Sequence, residues 1–361
     1  MLFIFVRYKC KKLRVNLIIG GFSAEREVSL SSGRSILKAL RELGHNVKVT
    51  DPIFGDTEVS EEEIFKDRIS KEHPSFEKLQ ELYEKSHRNI LNCINSRLFD
   101  DTDIAFIGLH GKFGEDGRIQ SLLDIRGIKY TGSGFLSSAL TLDKDVSKML
   151  FRQGGILTPD WFSIRKNENT DLQNTAKLID EKLGLPVVIK PNDEGSTVGL
   201  TIMNDLSDNS LKNSLENAFH YSDKIVLEKY IKGKEITVPV IGDEPYPVIE
   251  IKPIDGFYDY EHKYTKGMTE YFCPAELPES VVNLTMDEAL KAHRILECSV
   301  YSRVDFILSE DNLPYCLEVN TLPGMTETSL VPKSAKAAGM DFKTLVQTII
   351  NFSINKNQHN G

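Results

Sequence analysis

Two short runs near the C-terminus constrain this chain most tightly. Ser302–Leu308 and Pro314–Asn320 flank the turn-rich segment Ser309-Glu310-Asp311-Asn312-Leu313, a pattern that reads as a β-hairpin. Side chains alternate faces along a strand, so Arg303 and Asp305 share one face and Val304 and Phe306 the other. Glu318 and Asn320 likewise share a face, opposite Leu317 and Val319. A hairpin symmetric about residues 311–312 pairs Asp305 with Glu318 and Arg303 with Asn320. Two carboxylates set opposite each other repel by up to about 1 kcal/mol, and a divalent cation reverses that sign. Two carboxylates and an amide form an oxygen-only set suited to Mg2+, which keeps the rest of its shell for water and phosphate. A solvated sheet face on which Arg303 neutralises both acids explains the same residues. The hairpin alone leaves both readings open.

The rest of the chain reads as mixed α/β structure in three segments. Val15–Ile19, a helix through Ile36, Leu37, Leu40 and Leu43, and Val47–Thr50 form a β-loop-α-β opening, with Ser23 as the N-cap candidate and Gly44 as the stop. Asp103–Leu109 is a further buried strand, ending at His110-Gly111. The charged stretch 56–101 between them reads as a helical insertion without evident chemistry. Past the linker Thr131-Gly132-Ser133-Gly134, helices are expected at 143–153 and 171–183, with strands at Val187–Lys190 and Ile225–Glu228. Strands then dominate (235–241, 246–252, 302–308, 315–319), with helices near 285–297 and 341–352. The expected division is an extension at 1–14, an N-terminal α/β domain at 15–132, a central domain at 133–228 and a C-terminal domain at 229–361.

Charge narrows the partners. Lys and Arg number 44 against 53 Asp and Glu, a formal charge of −9, whereas nucleic-acid binding needs a basic face. A local basic pocket for a small phosphate ligand stays open. The apolar run Leu2–Val6 falls far short of the roughly 20 residues that span a bilayer. Five scattered cysteines without a C-x-x-C pair suit reduced thiols, so a cytoplasmic protein with no membrane partner is expected.

Three other constellations could carry chemistry. Lys190-Pro191-Asn192-Asp193-Glu194-Gly195-Ser196-Thr197-Val198-Gly199 puts a lysine at a strand end, followed by a loop rich in N–H donors and hydroxyls. Such a loop can wrap phosphate oxygens, or it is an ordinary hairpin loop. No Walker A sequence and no G-x-G-x-x-G fingerprint is present. Ile225–Ile231, with Glu235 beyond it, could present backbone groups to an adenine edge and a carboxylate to ribose, or be a strand with a solvated end. Gly20–Ser29 sets Glu25 and Glu27 at a helix N-terminus, where the dipole favours acids and where a carboxylate could also bind an amine.

Taken together, GGFSAEREVS (20–29), GLHGKFGEDG (108–117), YTGSG (130–134), LDKDVSK (142–148) and VIKPNDEGSTVG (188–199) resemble the D-alanine–D-alanine ligase family of ATP-grasp fold. LEKYIKGKE (227–235), FYDYEHKY (257–264), YFCPAELP (271–278), SRVDF (302–306) and LEVNTLPGMTETSLVP (317–332) complete the match, in the family's order. The resemblance implies three α/β domains, with nucleotide held between the central and C-terminal ones, and it favours metal at the hairpin. It implies that ATP phosphorylates one D-alanine and that the amine of a second attacks the acylphosphate. Lys144 and Lys190 would hold phosphates, and Lys263, on the mobile 257–268 loop, would reach the γ-phosphate. Glu228, Lys229, Ile231 and Glu235 would line the adenosine pocket. Asp305, Glu318 and Asn320 would hold two Mg2+ or Mn2+ ions, and Arg303 with the Gly324 N–H would form the oxyanion site. Glu25 would bind the first D-alanine through a chain via Ser196 to Tyr264, with His110 beside the acyl group. Ser329 and the Leu330 backbone would take the second carboxylate. A homodimer is also implied.

Two features depart from the pattern. Thr197 stands where a second serine is common; the 56–101 insertion is longer than in compact members, and residues 1–13 have no counterpart there. Competing readings are a D-alanine–D-lactate ligase, disfavoured by Lys263-Tyr264, another ATP-grasp carboxylate–amine ligase, and a non-catalytic ATP-binding module. The last predicts a missing metal acid or oxyanion arginine, and none is missing.

Overall fold

The computed structural model describes residues 11–66, 76–166, 171–254 and 268–356. The chain opens with β1 (Arg14–Ile18), α1 (Arg26–Glu42), β2 (Asn46–Thr50), α2 (Glu61–Ile64), α3 (Phe76–Asn95), β3 (Ile104–Ile107) and α4 (Arg118–Ile125). The three strands form a parallel sheet in the order β2-β1-β3. Every residue of β3 is buried although it ends the sheet order, and beyond it Ala105 makes an isolated parallel bridge to Tyr130. The 56–101 segment is helical through α2 and α3. The cap assignment differs from the sequence reading, because α1 starts three residues after Ser23. The Ser23 hydroxyl instead donates to the His110 carbonyl at 2.6 Å and accepts from the Glu25 N–H at 3.1 Å.

The next elements are α5 (Phe135–Leu142), α6 (Lys144–Gln153), β4 (Trp161–Arg165), α7 (Leu172–Lys182), β5 (Val187–Pro191), β6 (Thr201–Met203), α8 (Asp208–Tyr221) and β7 (Lys224–Lys229). The strands form an antiparallel sheet in the order β4-β7-β5-β6. Its core packs Val187, Ile189, Ile225 and Leu227 against Ile179 of α7 and Leu211, Leu215 and Ala218 of α8. The sequence reading did not anticipate β4, β6 or α8.

Last come β8 (Gly233–Ile241), β9 (Glu244–Pro245), β10 (Ile249–Pro253), β11 (Thr269–Phe272), α9 (Glu279–Ile295), β12 (Tyr301–Ser309), β13 (Pro314–Asn320), α10 (Leu330–Ala337) and α11 (Phe342–Lys356). The sheet order is β11-β10-β8-β12-β13, with β9 paired to β8. Arg303 pairs with Asn320 and Asp305 with Glu318, as the hairpin symmetry required. Beyond Asp305 the symmetry fails: a bulge makes Phe306 pair with Cys316 and leaves Leu317 as the extra residue. Cys316 and Val319 both enter the core with Val304 and Phe306, an odd spacing that only a bulged strand allows. Leu317 therefore does not share the core face with Val319, contrary to strict alternation. It lines a cavity instead.

The C-terminal helix returns to the first sheet. Leu345, Val346, Ile349 and Ile350 of α11 are fully buried in the same core as β1, α1 and β3. His45 and Gln347 meet at 3.1 Å, and Lys343 pairs with Glu42 at 3.4 Å. Among the described residues, no helix is long and apolar enough to cross a membrane.

Candidate active site

A cavity of about 870 Å³ lies where the three sheets meet, and most of the residues singled out in the sequence line it. On the hairpin wall, strand β12 delivers Arg303 and Asp305. Arg303 grips the Asp305 carboxylate with two donors, Nε to Oδ1 at 2.8 Å and Nη2 to Oδ2 at 2.6 Å. Thr237, opposite Asp305 on β8, donates to Oδ1 at 2.6 Å, and Asn320 Nδ2 donates to Oδ2 at 2.9 Å. Glu318 pairs instead with Lys144, 3.2 Å away. Charge on this wall is therefore balanced by two cations rather than by Arg303 alone. Among the described residues, no group of three or more His, Cys, Asp or Glu is placed to hold a metal ion. Two carboxylates and an amide still fit a hard cation, because such an ion leaves several positions to phosphate oxygens. A bound cation would also replace the charge that Lys144 now gives Glu318.

The lysines come from adjoining elements. Lys144 opens α6, whose N-cap Asp143 accepts from the Val146 N–H at 2.9 Å. Its ammonium also donates to the Glu194 carbonyl at 2.6 Å. Burial alone would lower its pKa, but Glu318 above all raises it beyond the ordinary lysine value, so the charge is secure. Lys190 closes β5 and meets Glu228 Oε1 at 2.5 Å, while Lys148, one turn past Lys144, meets Glu228 Oε2 at 2.9 Å. Burial would raise the Glu228 carboxyl, but the two ammoniums beside it hold it at about 2. Glu228 is thus the buried counter-ion shared by Lys190 and Lys148. Neither it nor Lys229 nor Ile231 lines the cavity: Glu228 turns from the interior strand β7 toward Lys148 of α6, Lys229 is exposed, and Ile231 lies beyond the strand. Glu235 of β8 does line it.

The loop after β5 crosses to the first sheet. Ser196 and Thr197 have φ of 50° and 61°, in a region that non-glycine residues rarely occupy. That geometry points the Ser196 hydroxyl at Glu25, to which it donates a short hydrogen bond. Glu25 sits at the N-cap of α1 without making a side-chain cap bond. At Gly195 a Cβ would lie 2.8 Å from a Glu25 oxygen, so only glycine permits this approach. Tyr264 and Lys263 lie outside the described residues.

His110 lines the cavity, but both ring nitrogens are engaged. Nδ1 donates to the Leu322 carbonyl at 2.7 Å. Nε2 must then accept from the Ser32 hydroxyl at 3.1 Å, while Ser32 Oγ accepts from the Met325 N–H at 3.1 Å. Burial lowers the His110 pKa, consistent with this neutral ring. Its effect is to tie the 322–325 loop, which carries Gly324, to α1. A Cβ on Gly324 would stand 3.2 Å from Ser329 Oγ. Ser329 stands at the N-cap position of α10 without a side-chain cap bond, accepts from the Thr326 N–H at 3.0 Å and lies with Leu330 on the cavity wall.

Glu115, given no role in the sequence reading, also faces the cavity. It accepts from the Gly111 N–H at 3.0 Å and lies 4.0 Å from His110 Nδ1. Burial first, then the Glu25 charge, pushes its carboxyl up to about 8. Lys148 was missed as well, although a spacing of four from Lys144 places both lysines on one helix face.

The model of the D-ala D-ala ligase N-terminus matches residues 14–133, and that of the D-ala D-ala ligase C-terminus matches residues 150–351. The chain belongs to this ligase family. A D-alanine–D-alanine ligase of Syntrophotalea carbinolica is 38% identical over 344 residues, covering 95% of this chain and 97% of that protein. The solved D-alanine–D-alanine ligase of Bacillus anthracis superposes with a TM-score of 0.73 at 35% identity, covering 97% of this chain and all (100%) of that one. A second structure of it, complexed with ATP, gives a TM-score of 0.73 at 33% identity and covers 97% of this chain and 100% of its own. The architecture is accordingly the ATP-grasp fold.

Proposed function

We propose that this chain joins two D-alanines into D-alanyl-D-alanine at the expense of ATP, supplying a peptidoglycan precursor in the cytoplasm. The observation that carries the reading is one cavity walled by a carboxylate at a helix N-terminus (Glu25), two buried lysines (Lys144, Lys190), the acids Asp305 and Glu318 with Arg303, and the Gly324–Ser329 turn. A carboxylate oxygen is a poor leaving group, so the acid must be activated before an amine can displace it. The γ-phosphoryl group of ATP passes to a carboxylate oxygen of the first D-alanine, forming an O–P bond and breaking the bond to ADP. The amine of the second D-alanine then attacks the acyl carbon, and the tetrahedral oxyanion expels phosphate as the C–N bond is kept and a proton is lost.

The side chains divide these tasks. Lys144 and Lys190 neutralise phosphate oxygens, and Glu228 holds the Lys190 ammonium in place. Asp305, Glu318 and Asn320 would hold the two Mg2+ or Mn2+ ions, whose chemistry is to screen charge on the transferring phosphoryl group. Arg303 and the Gly324 N–H donate to the developing oxyanion, and His110 fixes the loop that presents Gly324. Glu25, braced by Ser196, takes the first ammonium, and Ser329 with the Leu330 N–H takes the second carboxylate.

The test is phosphate release from Mg·ATP with D-alanine, with L-alanine, and with D-alanine plus D-lactate, the product being weighed by mass spectrometry. Release that requires D-alanine and yields the dipeptide is expected. A depsipeptide as the sole product, or release that ignores D-alanine, would overturn the assignment.

A further inference from the structure

A second set of contacts closes the site from outside, and the chemistry above uses none of them. Lys112 follows His110 and Gly111 on the loop after β3, and its side chain is only 13% exposed. Its ammonium lies 2.6 Å from Glu194 Oε1 and 3.4 Å from Asp193 Oδ2, and it donates to the Tyr221 carbonyl at 3.0 Å. Asp193 and Glu194 belong to the loop between Lys190 and Ser196. One lysine of the first sheet thus grips two neighbouring acids of the second.

Val198, at the far end of the same loop, is held by apolar contact. It is buried with Ala24, beside Glu25, and with Leu79 of α3. Tyr83 lies one turn on from Leu79, on the same face of α3. Its ring centroid is 5.9 Å from the Lys112 ammonium and 5.8 Å from that of Phe113. The helix of the 56–101 segment therefore backs both ends of the contact.

We infer that Lys112, with Leu79 and Tyr83 of α3, is a latch that holds the Asn192–Val198 loop shut over the site. The 56–101 insertion then has a task, which is to position the phosphate loop. The charges explain why a latch is needed. Glu194 comes to rest near Asp193 and Glu25, and a bound triphosphate adds more negative charge. Without Lys112, Glu194, whose side chain is 11% exposed, loses the ammonium paired with it, and a buried carboxylate lacking a partner favours an open loop. Lys112 is a positioning residue and touches no reacting atom. The inference rests on the proposed function only in taking this loop to carry groups that meet phosphate and the first amino acid.

The experiment compares Lys112→Met, Lys112→Arg and Leu79→Ala in the full chain, by amide hydrogen exchange without ligand and by steady-state ADP formation. Lys112→Met should speed exchange at 192–198 by roughly tenfold or more while β5 and β7 stay protected, as local opening requires. It should raise KM for ATP more than it lowers kcat. Lys112→Arg should restore both, and Leu79→Ala should reproduce the effect more weakly. Unchanged exchange at 192–198 in Lys112→Met would overturn the latch, as would loss of protection spread over the whole chain. The exchange result stands even if the wild-type enzyme makes no dipeptide, so failure of the latch and failure of the proposed reaction are separable.

Discussion

Glu228 shows how one buried side chain organises a site that it does not line. It is 3% exposed and holds Lys190 and Lys148 on its two oxygens. Breaking such a cluster by removing one charge leaves the others buried and uncompensated, typically at about 3–5 kcal/mol. Glu228→Gln should therefore lower stability by about that much in urea denaturation and weaken nucleotide binding through a misplaced Lys190. Glu115 makes a second prediction, in pH. Its carboxyl titrates near 8 in the folded protein, above the value of about 4.3 for an unfolded glutamate. The folded state then binds more protons than the unfolded state between those values, so this group's contribution to stability is full at low pH and is lost as pH rises toward 8. Melting temperature should fall across that window in the wild type and fall less in Glu115→Gln. Identical slopes would refute the assignment. Most of the site residues were legible because they stand in short runs of mixed polar chemistry. Glu115 and Lys148 stand in two of those runs, and the spacing of Lys148 from Lys144 was a usable signal, but the burial that shifts Glu115 appears only on folding.

At the scale of elements, the hairpin was read correctly at the residues that matter and incorrectly just beyond them. Pairing of Asp305 with Glu318 follows from the symmetry of the two runs, whereas the bulge depends on three-dimensional strain that no periodicity displays. Its consequence is specific. Leu317 leaves the core face and joins Ile307 and Ile251 on the cavity wall, where we propose that they meet the nucleotide base. Leu317→Ala should cost about 1–2 kcal/mol of nucleotide contact, read as a rise in KM for ATP. Midpoints of unfolding should barely move, because the core cluster does not include Leu317. A large loss of stability with unchanged KM would contradict this placement. The strands β4 and β6 escaped the sequence reading for a related reason. Residues of β4 are only half-buried or exposed, so no run of apolar residues marks them. The helix α8 hides its buried face among polar residues.

At the scale of the whole molecule, the order of the chain and the order in space part company at the end. The helix α11 is last in sequence, yet it fills the core of the first sheet. Its apolar spacing marked it as a helix but could not say which sheet it would cover. That return fixes the first sheet against the third, and His110, Ser32 and the 322–325 loop join them again beside the cavity. The cavity depends on all three sheets: Glu25 and His110 come from the first, Lys190 and Ser196 from the second, and Arg303, Asp305 and Glu318 from the third. This convergence is what lets one amino acid be activated while a second waits beside it. Activation of the first D-alanine is expected to pass through an acylphosphate. The direct measurement uses D-alanine carrying 18O in both carboxylate oxygens, with the released phosphate analysed by mass. One 18O should appear in each phosphate, because the oxygen that receives the phosphoryl group leaves with it. Unlabelled phosphate formed alongside dipeptide would mean that the carboxylate was never phosphorylated, and the mechanism would be wrong.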